Sequence, residues 1–264
     1  MNNKHWILTI LFALAATVMQ AVGDYKNGDK LFVCASSGLI FREGPSQKSA
    51  KIMTIPYGQG VIVADTMIRD KPFEVNEARV YLAAVTDENG QNVYKYYKIK
   101  GYWVKVNYGN RRGYVFDGYL SRLPAIKKLS SDTIALEGVV ANLNNYCSKN
   151  LKFIRKIRDK SNPDDSYRGK NIYTYNGNVD ISISNSGTRI EISDISLEEA
   201  YLFATAMYGI SAETANKDEY GWLRWSESKP DEMIFEVNQG GSPWNGVWIK
   251  KEKNIIIIAL IGNC

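Results

Sequence analysis

Ala35-Ser-Ser-Gly-Leu-Ile-Phe-Arg-Glu-Gly-Pro-Ser46 opens, and Gly113-Tyr-Val-Phe-Asp-Gly-Tyr-Leu-Ser121 closes, the part of the chain whose reading decides the fold. Each joins a short apolar run to glycine turns, the pattern of strands too brief to bury a face alone. Working outward, Lys30–Ala35, Lys51–Ile55 and Gly60–Ala64 read as further strands, the last two joined by a turn at Pro56-Tyr57-Gly58. Tyr102–Val106 and Arg112–Phe116 flank Tyr108-Gly109-Asn110 as a hairpin. Many short strands in roughly 100 residues, rich in glycine and aromatics, predict a small β-barrel. Between Thr66 and Gly101 lies an insert in which Arg79–Val85 and Val93–Ile99 flank Asp87-Glu88-Asn89-Gly90, a second hairpin signal.

Four segments in this order, Ala35–Ser46, Ile55–Gly58, Gly101–Val106 and Gly113–Ser121, resemble the bacterial SH3 (SH3b) family over residues 30–122. Ile40 stands where the family usually has Asn, and the hairpin insert is longer than the usual connection. The resemblance implies a small β-barrel that binds cell-wall peptides or an envelope protein partner, often beside a second domain. A scaffold role for the barrel is equally compatible with it. Members commonly accompany peptidoglycan hydrolases with Cys-His or zinc-histidine sites.

Composition bears on that association. The 264-residue chain has a single histidine, His5. Lys4 and His5 precede an apolar run, Trp6–Met19, and Ala21-Val22-Gly23 supplies small residues for a signal peptidase. Residues 1–23 therefore read as a signal peptide cleaved before Asp24, with an uncleaved anchor as the competing reading. The mature protein is expected to be exported, periplasmic or secreted, without a membrane span and without histidine. That composition excludes Ser-His-Asp, Cys-His and histidine-zinc catalysis.

Three cysteines, Cys34, Cys147 and Cys264, then face an oxidising compartment. The expectation is a Cys147–Cys264 disulfide with Cys34 buried as a small hydrophobe; three unpaired buried thiols is the alternative. No histidine is available to activate a thiol.

In the barrel, Tyr57, Tyr108, Arg111, Arg112 and Tyr119 are the candidate ligand-binding residues, since aromatic faces beside cations suit peptide or sugar surfaces and carboxylates. Trp103 and Tyr114 are expected in the core, and Asp117-Gly118 reads as turn chemistry rather than a catalytic acid. Residues 24–124 carry a net charge of +5 and residues 125–264 a net charge of −1. Nucleic acid is a poor target for an exported protein. An anionic envelope surface or acidic partner suits that field better, and an ordinary solvated surface explains it too.

Residues 125–264 alternate helical and strand patterns and read as an α+β domain. Ile134–Arg158 is expected to be mostly helical, with a basic cluster of Lys149, Lys152, Arg155, Lys156, Arg158 and Lys160. Such a helix can meet an anionic membrane or an acidic partner, or simply face water. Val179–Ile183 and Arg189–Ile192 predict a half-buried hairpin, and Ser196-Leu-Glu-Glu199 a capping box opening a helix that Gly209 ends. Gly221–Trp225, Met233–Val237 and Val247–Lys250 read as strands, and Ile255–Ile261 as a central one buried on both faces. Glu219, Glu227, Asp231 and Glu236 offer carboxylates for glycoside hydrolysis, but no spacing selects a pair. The reading is a non-catalytic exported binding protein needing no cofactor or metal. The alternative is an envelope hydrolase with a carboxylate site in the C-terminal domain.

Overall fold

A computed structural model describes residues 25–66, 72–80, 88–91, 95–129, 136–158, 169–184, 189–209, 222–226, 229–237 and 245–262. Within them the chain is mostly strand. The first sheet uses β1 (Lys30–Val33), β2 (Leu39–Arg42), β3 (Lys51–Ile55), β4 (Gly60–Asp65), β7 (Trp103–Tyr108), β8 (Arg111–Phe116) and β9 (Leu120–Ser121), in the order β3-β2-β8-β7-β4-β1-β9. Alternation along these strands sends Leu31, Val33, Phe41, Ile55, Val61, Val106 and Val115 into one core. The short 3-10 turn Asp117–Tyr119 links β8 to β9. Its Asp117 carboxylate accepts the Tyr102 N–H at 2.5 Å and the Tyr25 hydroxyl at 2.6 Å, the turn role expected from sequence.

The insert holds β5 (Phe73–Val80) and β6 (Lys95–Gly101), paired antiparallel. Although it interrupts the first module in sequence, this hairpin belongs to the second sheet. That sheet adds β10 (Lys152–Arg158), β11 (Gly169–Tyr175), β12 (Val179–Ser184), β13 (Arg189–Ser193), β14 (Trp222–Ser226), β15 (Lys229–Val237), β16 (Asn245–Glu252) and β17 (Ile255–Gly262). The order is β10-β11-β12-β13-β17-β16-β15-β14-β5-β6, and β5 joins by a parallel contact of Val80 with Leu223 of β14. As its apolar run predicts, β17 is central, and Ile256, Ile257 and Ile258 on its two faces are all buried.

Helices α1 (Leu136–Asn150) and α2 (Leu197–Tyr208) pack on this sheet. Val139, Leu143, Tyr146 and Cys147 form the buried stripe of α1 at helical spacing. Ser196 caps α2 in a complete capping box with Glu199, and Gly209 ends the helix in the left-handed conformation at φ 68°. No helix among the described residues is long and apolar enough to cross a membrane.

One expectation is corrected. Helix α1 stops at Asn150, and the basic stretch beyond it is β10, paired with β11 at the sheet's end. Phe153, Ile154 and Ile157 favour an extended chain, and cross-strand partners such as Tyr173 supply what an isolated helical turn would lack. Cys34 and Cys147 are both free thiols, and Cys264, the expected partner of Cys147, lies outside the described residues. Cys147 is a core residue, 1% exposed among the apolar side chains of α1 and its neighbours. The expected signal peptide, residues 1–23, also lies outside the described residues.

Candidate functional site

The first module, the inserted hairpin and α2 meet around a cavity of about 540 Å³. One wall is the turn Cys34–Leu39 between β1 and β2. Gly38 makes that turn possible: its φ is +83°, and a Cβ there would stand 2.8 Å from the Ile55 carbonyl oxygen. Trp103 of β7 and Phe116 of β8 form the second wall, with Phe73, Val75 and Glu77 of β5 beside them. Tyr201, Leu202 and Thr205 of α2 close the far side, and Arg42 and Lys128 also line the cavity. The rings form a continuous surface: Phe73 meets Phe116 edge-on at 5.6 Å, and Phe116 meets Tyr119 at 5.7 Å.

The walls are locked together by polar contacts at the seam. Glu199 of α2 accepts from the Arg122 N–H at 2.8 Å and the Ser121 hydroxyl at 3.2 Å, while also closing its own capping box. The Arg122 guanidinium adds an ion pair at 3.4 Å to this fully buried carboxylate. Tyr57 donates its hydroxyl to the Ile126 carbonyl at 2.6 Å, and Asn142 of α1 donates to the Lys127 carbonyl at 2.9 Å. The connecting segment, with Leu123 and Ile126 buried, thus belongs to the same core as the second sheet.

The cavity's chemistry rests on few groups. Tyr119 donates its hydroxyl to Glu77 at 2.5 Å. Burial raises the Glu77 carboxyl above the ordinary glutamate range, and the Tyr119 bond only partly offsets this. Burial pushes the Cys34 thiol up to about 12, with the Glu199 charge adding to the rise. A thiol held in its protonated form is a poor nucleophile.

Of the five candidate binding residues, the structure brings Tyr57 and Tyr119 to the cavity, with the Tyr57 hydroxyl already committed to Ile126. Tyr108, Arg111 and Arg112 lie on the β7–β8 turn and do not line it; both arginines are exposed, and Arg112 donates to Asn107 at 3.0 Å. Trp103 is half-buried, packed against the second core and lining the cavity rather than enclosed. Tyr114, expected in the core, is half-buried under Lys105, whose Nζ stands 5.5 Å from its ring centroid. Cys34 is partly buried and also lines the cavity. Among the four carboxylates considered for hydrolysis, Asp231 is exposed on β15, Glu236 lies in the same strand, and Glu219 and Glu227 fall outside the described residues.

Sequence reasoning missed the contribution of the insert and of α2. A trace of it was present: Phe73-Glu-Val-Asn-Glu77 places Phe73, Val75 and Glu77 at alternate positions, an acid at the end of an apolar face. Nothing in the chain's local pattern links that face to Tyr201 or Leu202.

No curated protein and no solved structure shows significant similarity to the chain. A family model does match: residues 37–121 correspond to the bacterial SH3 domain, and nothing else in the chain is recognised. The match spans β2 to β9, insert included, and so contains the wall of Trp103, Phe116 and β5 and the end of the Cys34–Leu39 turn. Residues 37–121, which present Trp103 and Phe116 to this cavity, match the bacterial SH3 domain.

Proposed function

We propose that the chain is a non-catalytic exported binding protein whose cavity takes cell-wall peptide. Bacterial SH3 domains point to a cell-wall or peptidoglycan binding role and typically occur in extracellular or cell-envelope proteins. The observation that carries the reading is the aromatic-lined cavity itself, of a size suited to a short peptide and built where the SH3 module meets α2. Large flat rings with a few polar groups bind by apolar contact and are oriented by hydrogen bonds. The nucleophile nearest to hand, Cys34, keeps its proton, which favours binding over covalent catalysis.

Retention of the full mature chain on purified cell-wall sacculi tests this reading. Ser36 is exposed and lines the cavity, so Ser36→Trp should obstruct the entrance without disturbing the core. The variant is expected to lose about tenfold in affinity, corresponding to roughly 1.4 kcal/mol. Absence of wild-type retention above background would overturn cell-wall binding, and unchanged retention of Ser36→Trp would move the site away from this cavity.

A further inference from the structure

Glu77 brings a partly buried carboxyl from β5 to the cavity. It is the extra residue of a β-bulge in β5: Asn76 pairs with Lys98 and Ala78 with Tyr97, leaving Glu77 between them. Glu77 continues the alternation that turns Phe73 and Val75 to the same face, and its carboxyl lines the cavity among Phe73, Trp103, Phe116 and Tyr119. Its hydrogen bond from Tyr119 joins it to the 3-10 turn of the SH3 domain. Among the described residues no lysine or arginine forms an ion pair with it. A carboxylate withdrawn from water without a cation is unfavourable, consistent with the upward displacement of its pKa.

We infer that the cavity binds a peptide through a free primary ammonium group, seated against the Glu77 carboxylate and the surrounding aromatic faces. This rests on the reading of the cavity as a peptide site and specifies what part of the peptide it recognises. An ammonium complements both features at once, pairing with the carboxylate and meeting the negative faces of the rings. An anion in the same place would face Glu77 directly. Arg42, whose guanidinium donates to the Ser49 carbonyl at 2.7 Å, and the exposed Lys128 line the same cavity and suit the carboxylates of the same peptide.

The test compares retention of the full mature chain on untreated sacculi and on sacculi whose free amines have been acetylated. Acetylation removes the positive charge but leaves glycan and peptide backbones intact. Wild type is expected to bind acetylated sacculi about tenfold less tightly, a difference that conversion to free energy puts near 1.4 kcal/mol. Glu77→Gln should bind untreated sacculi at that reduced level and show no further loss on acetylation. Its thermal midpoint is measured alongside; should the variant fail to fold, the acetylation comparison on wild type decides alone. Equal wild-type retention on both preparations overturns the ammonium inference and leaves cell-wall binding standing. No retention on untreated sacculi overturns the cell-wall reading and this inference with it.

Discussion

Glu198 shows how one buried carboxyl can make stability depend on pH. It sits in the first turn of α2, 6% exposed, with its Oε2 buried and lacking a hydrogen-bond partner. Burial is the main cause raising its carboxyl from 4.5 to about 7, with the Glu199 charge adding to the rise. The unfolded chain gives up this proton near the ordinary value, whereas the folded chain keeps it up to about 7. Its stabilising contribution is therefore fully present below the ordinary value, declines between the two, and is lost as pH rises through the folded value. The full span corresponds to roughly 3 kcal/mol. Glu198→Gln should flatten the dependence of the thermal midpoint on pH between about 5 and about 8 and exceed wild type at the upper end. A variant whose midpoint follows wild type across that range would show that the carboxyl is not the titrating group. Neighbouring Glu199 illustrates a different fate for the same residue type, since every oxygen it buries has a donor.

At the scale of elements, the start of α2 does more than begin a helix. The capping box was legible because Ser196 and Glu199 stand at the required spacing. That the same carboxylate also holds Ser121 and Arg122, some eighty residues earlier, was not. Glu199→Ala removes the side-chain half of the capping box, the bridge to β9 and the ion-pair partner of Arg122. A loss of about 3 kcal/mol is expected, in the range found when one member of a buried pair is deleted. Chemical denaturation measures it, and a loss near 1 kcal/mol, the value of a cap alone, would mean the bridge contributes little. Strand β10 makes the opposite point. Its basic residues suggested the wet face of a helix, but they line the end of a ten-stranded sheet, where Phe153 and Ile154 are 54% and 46% exposed. Lysine and arginine at such an edge discourage pairing with another chain.

On the scale of the whole molecule, the inserted hairpin makes two sequence segments interdependent. Tyr97 and Ile99 of β6, Phe116 of β8 and Leu123 and Ile126 of the connection share one core with α1, α2 and the second sheet. Phe32 of β1 also meets Tyr175 of β11 edge-on at 6.3 Å. The protein should therefore unfold in one transition, with tryptophan fluorescence and far-UV dichroism tracing coincident curves in urea. Residues 25–124 expressed alone would expose Tyr97, Ile99 and Phe116, and should bind a hydrophobic dye strongly. Two separated transitions, together with a dye-silent fragment, would refute this coupling.

What the sequence determined by itself was local or carried by closely spaced residues. The glycine turns and aromatic strands of the SH3 domain, the β12–β13 hairpin, the capped α2 and the buried β17 all rest on interactions with a period of two or about four residues. Composition likewise left the chain a single histidine, His5. The tertiary structure alone decided that the insert joins the far sheet, that Cys147 packs as a core thiol, and that the basic stretch is a strand. It alone brought Tyr57, Glu77, Trp103, Tyr119 and Tyr201 around one cavity. Those outcomes depend on which distant surfaces bury one another, and the apolar pattern that makes a face sticky does not name the face it will meet.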